Sequence, residues 1–468
     1  MVPHVVLLSL LPSLISALPA IDLNSFSPSS IIHRDVVVVG GGASGTYGAV
    51  SLKDKGKSIV IVEAQDRLGG HTQTYTDPAT NTTVDYGVVV YNNIDIVKNF
   101  FGRFNVPVSL TTELTPPGQK TVYADFRTGK IVAGYTPPNI SGALAAYGVQ
   151  AAKYAYLENG FDLPDPVPAD LLLSFEQFVK KFSLQDIVDF AVNFAQGTGD
   201  LLSKPVIYLI KYIGVGVLEG IQSGFLSTTR HDNSQVYENA QAELGKDVLL
   251  NSRVIATDRR GNDVKVLVKT PNGIKVIVAK KILLTIPPLL NNLVGFDLSS
   301  QEKNLFGQFL SNGYWTGLIR NTDIPDNTEI QNIGADTEYH QPVLPALYGI
   351  DPTAVPGLYN LKYGAFSASL TDDQVKADIL AEIKRLDTAG TIVNSTSSST
   401  PEFAVFSSHS PFELTVTSEA IKGGFYKKLY ALQGQRNTYY TGAAFHVHDS
   451  ALLWRFTEEL MDGITAGL

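Results

Sequence analysis

The sequence predicts an α/β fold that opens on a Rossmann-like unit, and three observations carry the prediction. Residues 36–39 are four consecutive valines, an apolar run of strand length that ends at glycines. The glycines then follow the spacing Gly40-x-Gly42-x-x-Gly45, ahead of a helix-compatible stretch from Ala43 to about Lys55. A second buried-strand run, residues 59–62, ends in the acid Glu63, a little over twenty residues beyond the first glycine.

Each glycine has a physical task in such a turn. Gly40 permits the sharp exit from the strand, Gly42 lets a pyrophosphate approach the backbone, and Gly45 lets helix and strand pack closely. The helix start at Ala43 and Ser44 offers unpaired N–H groups and the positive dipole end to phosphates. Glu63 is placed to accept hydrogen bonds from a ribose diol, and its charge disfavours a 2′-phosphate. These features together predict a dinucleotide site.

The residues after Glu63 distinguish between dinucleotides. The run Glu63-Ala64-Gln65-Asp66-Arg67-Leu68-Gly69-Gly70-His71 resembles the Glu-Ala-x-x-Arg-x-Gly-Gly signature of the flavin amine oxidase superfamily. Val84-Asp85-Tyr86-Gly87 resembles that family's Asp-x-Gly step toward the isoalloxazine ring. Leu249 to Ala256 resembles the strand whose valine, here Val254, contacts adenine through its backbone, and Ile282 to Pro288 resembles the strand that returns the chain to the flavin domain. Thr438 to Ala444, followed by a helical stretch over 450–464, resembles the terminal strand-Gly-helix, with Gly442 and Ala443 at the flavin.

The resemblance implies FAD as cofactor, with Gly69, Gly70 and His71 beside it. It also implies a Rossmann-like FAD-binding domain assembled from three chain segments, with an interleaved α+β substrate domain. The expected segments are 35–126, 234–288 and 404–468 for the FAD domain, and 127–233 (mainly helical) and 289–403 for the substrate domain. Texture places the chain nearest the fungal β-cyclopiazonate dehydrogenase family. Two positions depart from the superfamily pattern: Ala443 stands where an acid is usual, and His71 where an arginine is. No active-site lysine is assigned.

Composition sets the class. A chain of 468 residues, 44% of them hydrophobic, is long enough for two domains and a large core. Its net charge of −9 and pI near 5.4 argue against nucleic acid as a partner. Without cysteine there is no cysteinyl flavin bond, thiol nucleophile or Cys-ligated metal. Residues 1–20 read as a signal peptide, too short to span a bilayer, and Asn81, Asn139 and Asn394 sit in glycosylation sequons, so secretion is expected.

In chain order, Phe175, Phe178, Val179 and Phe182 mark amphipathic helices over 170–181 and 183–195. The apolar run from Pro205 is interrupted by Lys211 and glycines and reads as a buried helix, with no membrane span. Strands over 264–269 and 274–279 flank the hairpin signal Pro271-Asn272-Gly273. Tyr314, Trp315, Tyr348, Tyr359, Tyr363 and Phe366 wall a cavity or build core, and 394–400 reads as a surface loop.

The flavin itself supplies hydride chemistry, so no acid–base constellation is required. The expected reaction is oxidation of a C–N or C–H bond of a small aromatic or alkaloid-like secondary metabolite, with hydride passing to flavin N5 and then to oxygen or another acceptor. His71 either forms an 8α-histidyl bond to the flavin or makes a polar contact to its phosphates. His446, His448 and Tyr440 are the candidate catalytic residues, and the alternating histidines are not read as a metal site. Two other readings stay open: a flavin-dependent isomerase of an unsaturated substrate, and a non-catalytic FAD-binding protein.

Overall fold

A computed structural model describes residues 20–112, 118–392 and 400–468, so the signal-peptide reading, the Asn394 sequon and most of the expected 394–400 loop lie outside the described residues. The fold is organised on two sheets. In the seven-stranded one, Ile31–Val39 runs parallel to both Ile59–Val62 and Gly273–Leu284. Val36 and Val38 pack into one apolar layer, with Ile59 and Ile61, while Val37 and Val39 pack into the layer on the opposite face, with Val60 and Val62. The valine run is thus unbroken because both faces are covered. This strand begins at Ile31, five residues before the valine run, because the long Gly273–Leu284 strand offers partners from Val276 onward.

Helix Ala43–Asp54 follows directly, and an added Cβ on Gly45 would lie 2.0 Å from the Gly40 carbonyl oxygen, so only glycine fits. Helix Ser450–Glu459 packs beside it, Trp454 Nε1 donating to the Ala43 carbonyl. Val264–Thr270 and Gly273–Leu284 form the expected hairpin, and Thr438–Tyr440 adds in parallel to residues 282–284. Strands from all three segments expected for the FAD domain therefore share one sheet.

The second sheet has eight strands, three of which pair with Leu310–Arg320. Helix Asp372–Thr388 covers one face, burying Val375, Ile379, Ile383 and Leu386 against Trp315, Ile319, Leu361 and Tyr363. Two strands join this sheet from beyond the expected boundaries at 126 and 403. Lys120–Asp125 pairs in parallel with Thr328–Asn332, and Glu402–Ser408 pairs with Leu310–Arg320. Composition carries no sign of this, since sheet membership depends on partners far away in the chain.

The helical part is more broken than its periodicity suggests. Helix Phe175–Phe182 ends where Ser183 turns left-handed, and Val188–Phe194 starts after a short 3-10 turn. The run from Pro205 is two helices, Val206–Tyr212 and Val215–Ser223, bent by 43°. Among the described residues no single helix is long and apolar enough to cross a membrane.

Candidate active site

A cavity of about 550 Å³ runs from the glycine turn to the face of the second sheet opposite helix Asp372–Thr388. At the turn, Gly40, Gly42, Ala43, Ser44 and Glu63 line it, and Gly69, Gly70 and His71 continue the wall. Gly442, Ala443, Asp449 and Ser450 close it from the C-terminal segment. Residues 31–90 and 438–450 meet here because their strands flank Gly273–Leu284 on the same sheet.

The turn fits a dinucleotide. A Cβ on Gly42 would meet only the Gly70 Cα, at 3.8 Å, which leaves room for phosphate. The buried Ser44 Oγ has no hydrogen-bond partner, and the first helical N–H groups point the same way. Glu63 accepts from Gly41 N at 2.6 Å and Gln65 N at 2.7 Å, which fixes its carboxylate while leaving lone pairs for ribose hydroxyls.

Other expected residues stand behind the wall. Gly45 packs helix on strand, and Arg67 spends its guanidinium on the carbonyls of Leu68, Gly70 and Thr72, so it shapes the Gly69-Gly70 turn from outside the cavity. Val254 lies on the outermost strand and does not line the cavity.

The far wall carries a histidine cluster. His71 stacks on His409 with ring centroids 4.2 Å apart and planes 12° apart, and His448 stacks on Phe412 at 3.9 Å. His409 Nε2 lies 2.9 Å from Gln73 Oε1, and His448 Nε2 accepts from the Glu413 N–H. Burial holds all three imidazoles below the usual histidine range, His71 to about 4 with Arg67 adding to the effect. They are neutral at pH 7. Sequence reasoning missed His409, which sits in a strand-to-turn segment with no motif around it.

The other catalytic candidates are drawn elsewhere. His446 accepts from the buried Lys211 Nζ at 2.9 Å, faces the Glu158 carbonyl, and does not line the cavity. Tyr440 donates to Glu302 at 2.5 Å, within a buried network with Arg259, and is likewise outside it. Among the described residues no three histidine or carboxylate side chains are arranged so that they could hold a metal ion.

The comparisons agree with this geometry. The family model described as flavin containing amine oxidoreductase matches residues 44–303. The FAD-dependent oxidoreductase oblC of Cochliobolus heterostrophus is 43% identical over 460 residues, which cover 95% of this chain and 93% of that protein. The chain belongs to the flavin-containing amine oxidoreductase family. FAD is its cofactor and it is an FAD-dependent oxidoreductase.

A second relative, the β-cyclopiazonate dehydrogenase of Aspergillus oryzae, is 35% identical over 443 residues, 94% of each chain. Among solved structures, a CLA-producing fatty acid isomerase from P. acnes superposes with a TM-score of 0.74 at 17% identity, covering 92% of this chain and 99% of that one. Putrescine oxidase bound to putrescine superposes at 0.64 and 16% identity, covering 93% and 100%. These structures share the α/β FAD-binding fold.

Proposed function

We propose that the chain is a secreted FAD-dependent oxidoreductase that oxidises a C–N or C–H bond of a small aromatic or alkaloid-like secondary metabolite. The observation that carries the reading is the single cavity joining the glycine turn to a wall of aromatic and neutral histidine rings. When bound, FAD supplies the hydride acceptor at N5 and passes electrons to oxygen or another acceptor.

The chain's own residues bind, orient and exclude water. Gly40, Gly42, Ala43 and Ser44 hold the phosphates, Glu63 the ribose, and Gly70, His71, Gly442 and Ala443 the flavin side. Tyr314, Phe412 and Leu414 shield the substrate end, where a flat ring stacks against apolar surface. His409 and His448, kept uncharged by burial, add polar rings to the wall without a standing charge in the cavity.

If the flavin is linked, His71 is the candidate for attachment, since it follows Gly69-Gly70 along the cavity wall and no cysteine exists. Flavin that stays with the polypeptide after denaturation supports the link, and flavin that separates freely refutes it. Secretion is supported by the apolar leader and by the exposed Asn81 and Asn139.

The test is anaerobic addition of an aromatic-metabolite and amine panel to the purified protein. Bleaching of the flavin band that recovers in air supports the oxidoreductase reading. A band that never changes while substrate is isomerised overturns it.

A further inference from the structure

Two histidines on the cavity wall are each fixed in one tautomer, and the two tautomers differ. The Glu413 N–H donates to His448 Nε2 at 3.1 Å, so that nitrogen carries the lone pair and the proton of the neutral ring sits on Nδ1. Glu413 is itself held left-handed, at φ 48°, a conformation that a residue with a side chain keeps only where its surroundings enforce it. The His448 ring is further pinned by its stack on Phe412, with centroids 3.9 Å apart.

His409 is fixed the other way. Gln73 Nε2 donates to Ser407 Oγ at 2.8 Å, which leaves the Gln73 carbonyl oxygen facing the ring. His409 Nε2, 2.9 Å from that oxygen, is therefore the donor, and Thr316 Oγ1 stands 3.4 Å from the same nitrogen. The lone pair of this neutral ring is left on Nδ1.

Nδ1 of neither ring has a hydrogen-bond partner among the described residues, and neither is sealed in as the unpartnered Tyr91 hydroxyl is. Both rings line the cavity. Both also lie beside His71, with centroids 4.2 Å and 6.0 Å from its own and planes within 14° of it. One wall thus offers an N–H donor and a bare nitrogen acceptor, near enough for one fused-ring molecule to meet both. Neither ring carries a charge, so the pair rewards directional hydrogen bonding and gives no counter-charge to an ion.

We propose that His448 and His409 are specificity-determining residues, His448 donating from Nδ1 to a carbonyl oxygen of the substrate and His409 accepting at Nδ1 from an N–H of the same molecule. The substrate is then a neutral lactam or a similar aromatic compound that carries N–H and C=O on one conjugated ring system. This rests on the oxidoreductase reading of the same cavity and names the polar group of its substrate. Glu413 and Gln73 are positioning residues, which act through the rings they orient.

The experiment has two parts, both on the purified FAD-loaded protein. Nitrogen NMR of ring-labelled histidines at pH 7 reads the tautomers, with resonances assigned by their loss in His448→Phe and His409→Phe. His448 is expected to be protonated at Nδ1 alone and His409 at Nε2 alone. Flavin absorbance titrations then compare oxindole, which has both groups, with 1-methyloxindole, which keeps the acceptor, indole, which keeps the donor, and 1-methylindole, which has neither. Oxindole is expected to bind about fivefold more tightly than either single-group probe, the effect of one neutral hydrogen bond. In His448→Phe its advantage over indole disappears while that over 1-methyloxindole stays, and His409→Phe does the reverse.

A reversed tautomer at either ring, a charged imidazole at pH 7, equal affinity for all probes, no perturbation by any of them, or the same change in both variants would each overturn the assignment. Should a phenylalanine variant lose flavin, His448→Gln or His409→Gln assigns the resonance and the wild-type probe series decides. A protein with no flavin band would sink the oxidoreductase reading itself. A flavin band without a preference for oxindole would sink only this assignment.

Discussion

Replacing Glu63 by glutamine separates its two tasks. In the structure both carboxylate oxygens accept backbone N–H groups, from Gly41 at 2.6 Å and Gln65 at 2.7 Å. A carboxamide has one acceptor oxygen, so one of those buried N–H groups would face an NH₂ group. An unsatisfied buried donor costs about 1–3 kcal/mol, which for a chain of this length lowers the melting temperature of the flavin-free protein by about 1–3 °C.

Charge-assisted hydrogen bonds from ribose hydroxyls to the carboxylate are also lost. That term, about 2 kcal/mol, weakens FAD binding about thirtyfold. The assay is an FAD titration of apoprotein by flavin fluorescence quenching, run in a His71→Ala background so that no covalent link can mask the change. A Glu63→Gln variant whose FAD affinity lies within twofold of that background would refute the ribose assignment, even if its melting temperature falls.

Two glycine substitutions should behave differently. Gly45→Ala forces a Cβ to 2.0 Å from the Gly40 carbonyl oxygen and should cost about 3 kcal/mol of stability together with flavin content, whereas Gly42→Ala, with 3.8 Å of clearance, should keep the apoprotein's melting point and lose flavin. Equal losses in both would contradict this. His71, held at about 4 by burial in the folded state against about 6.5 unfolded, binds fewer protons folded than unfolded between those values. Its contribution to stability is thus full above pH 6.5 and falls as pH drops towards 4, so His71→Gln should gain about 2.5 kcal/mol relative to wild type between pH 7.5 and 4.5 by urea unfolding. Parallel pH curves would dismiss the buried neutral imidazole. Glu302→Gln removes the charge facing the buried Arg259, which together with Tyr440 outweighs burial and holds the Glu302 carboxyl down at about 2, and should cost about 3 kcal/mol in melting experiments.

The nucleotide half of the site was legible in the sequence because its chemistry is local. A strand, a tight turn and a helix start lie within twenty residues, and the glycines at 40, 42 and 45 each answer a steric demand that any chain in that geometry meets. Even there, Arg67 showed its limits: spacing places it near the flavin, but its long side chain turns back onto three carbonyls of its own loop.

The substrate half came only from the tertiary structure. Tyr314 and Thr316 meet His409 through the antiparallel pairing of strands far apart in the chain, His71 reaches His409 from a turn of the nucleotide half, and no local periodicity records which face of those strands the helix will cover. His446 and His448 show the same point at the shortest range. Two residues apart, one is buried against Lys211 and the other lines the cavity. The sequence alone thus determined the cofactor and the fold that holds it, whereas the chemistry facing the substrate was decided by long-range strand pairing, which places side chains through partners that neighbouring residues do not specify.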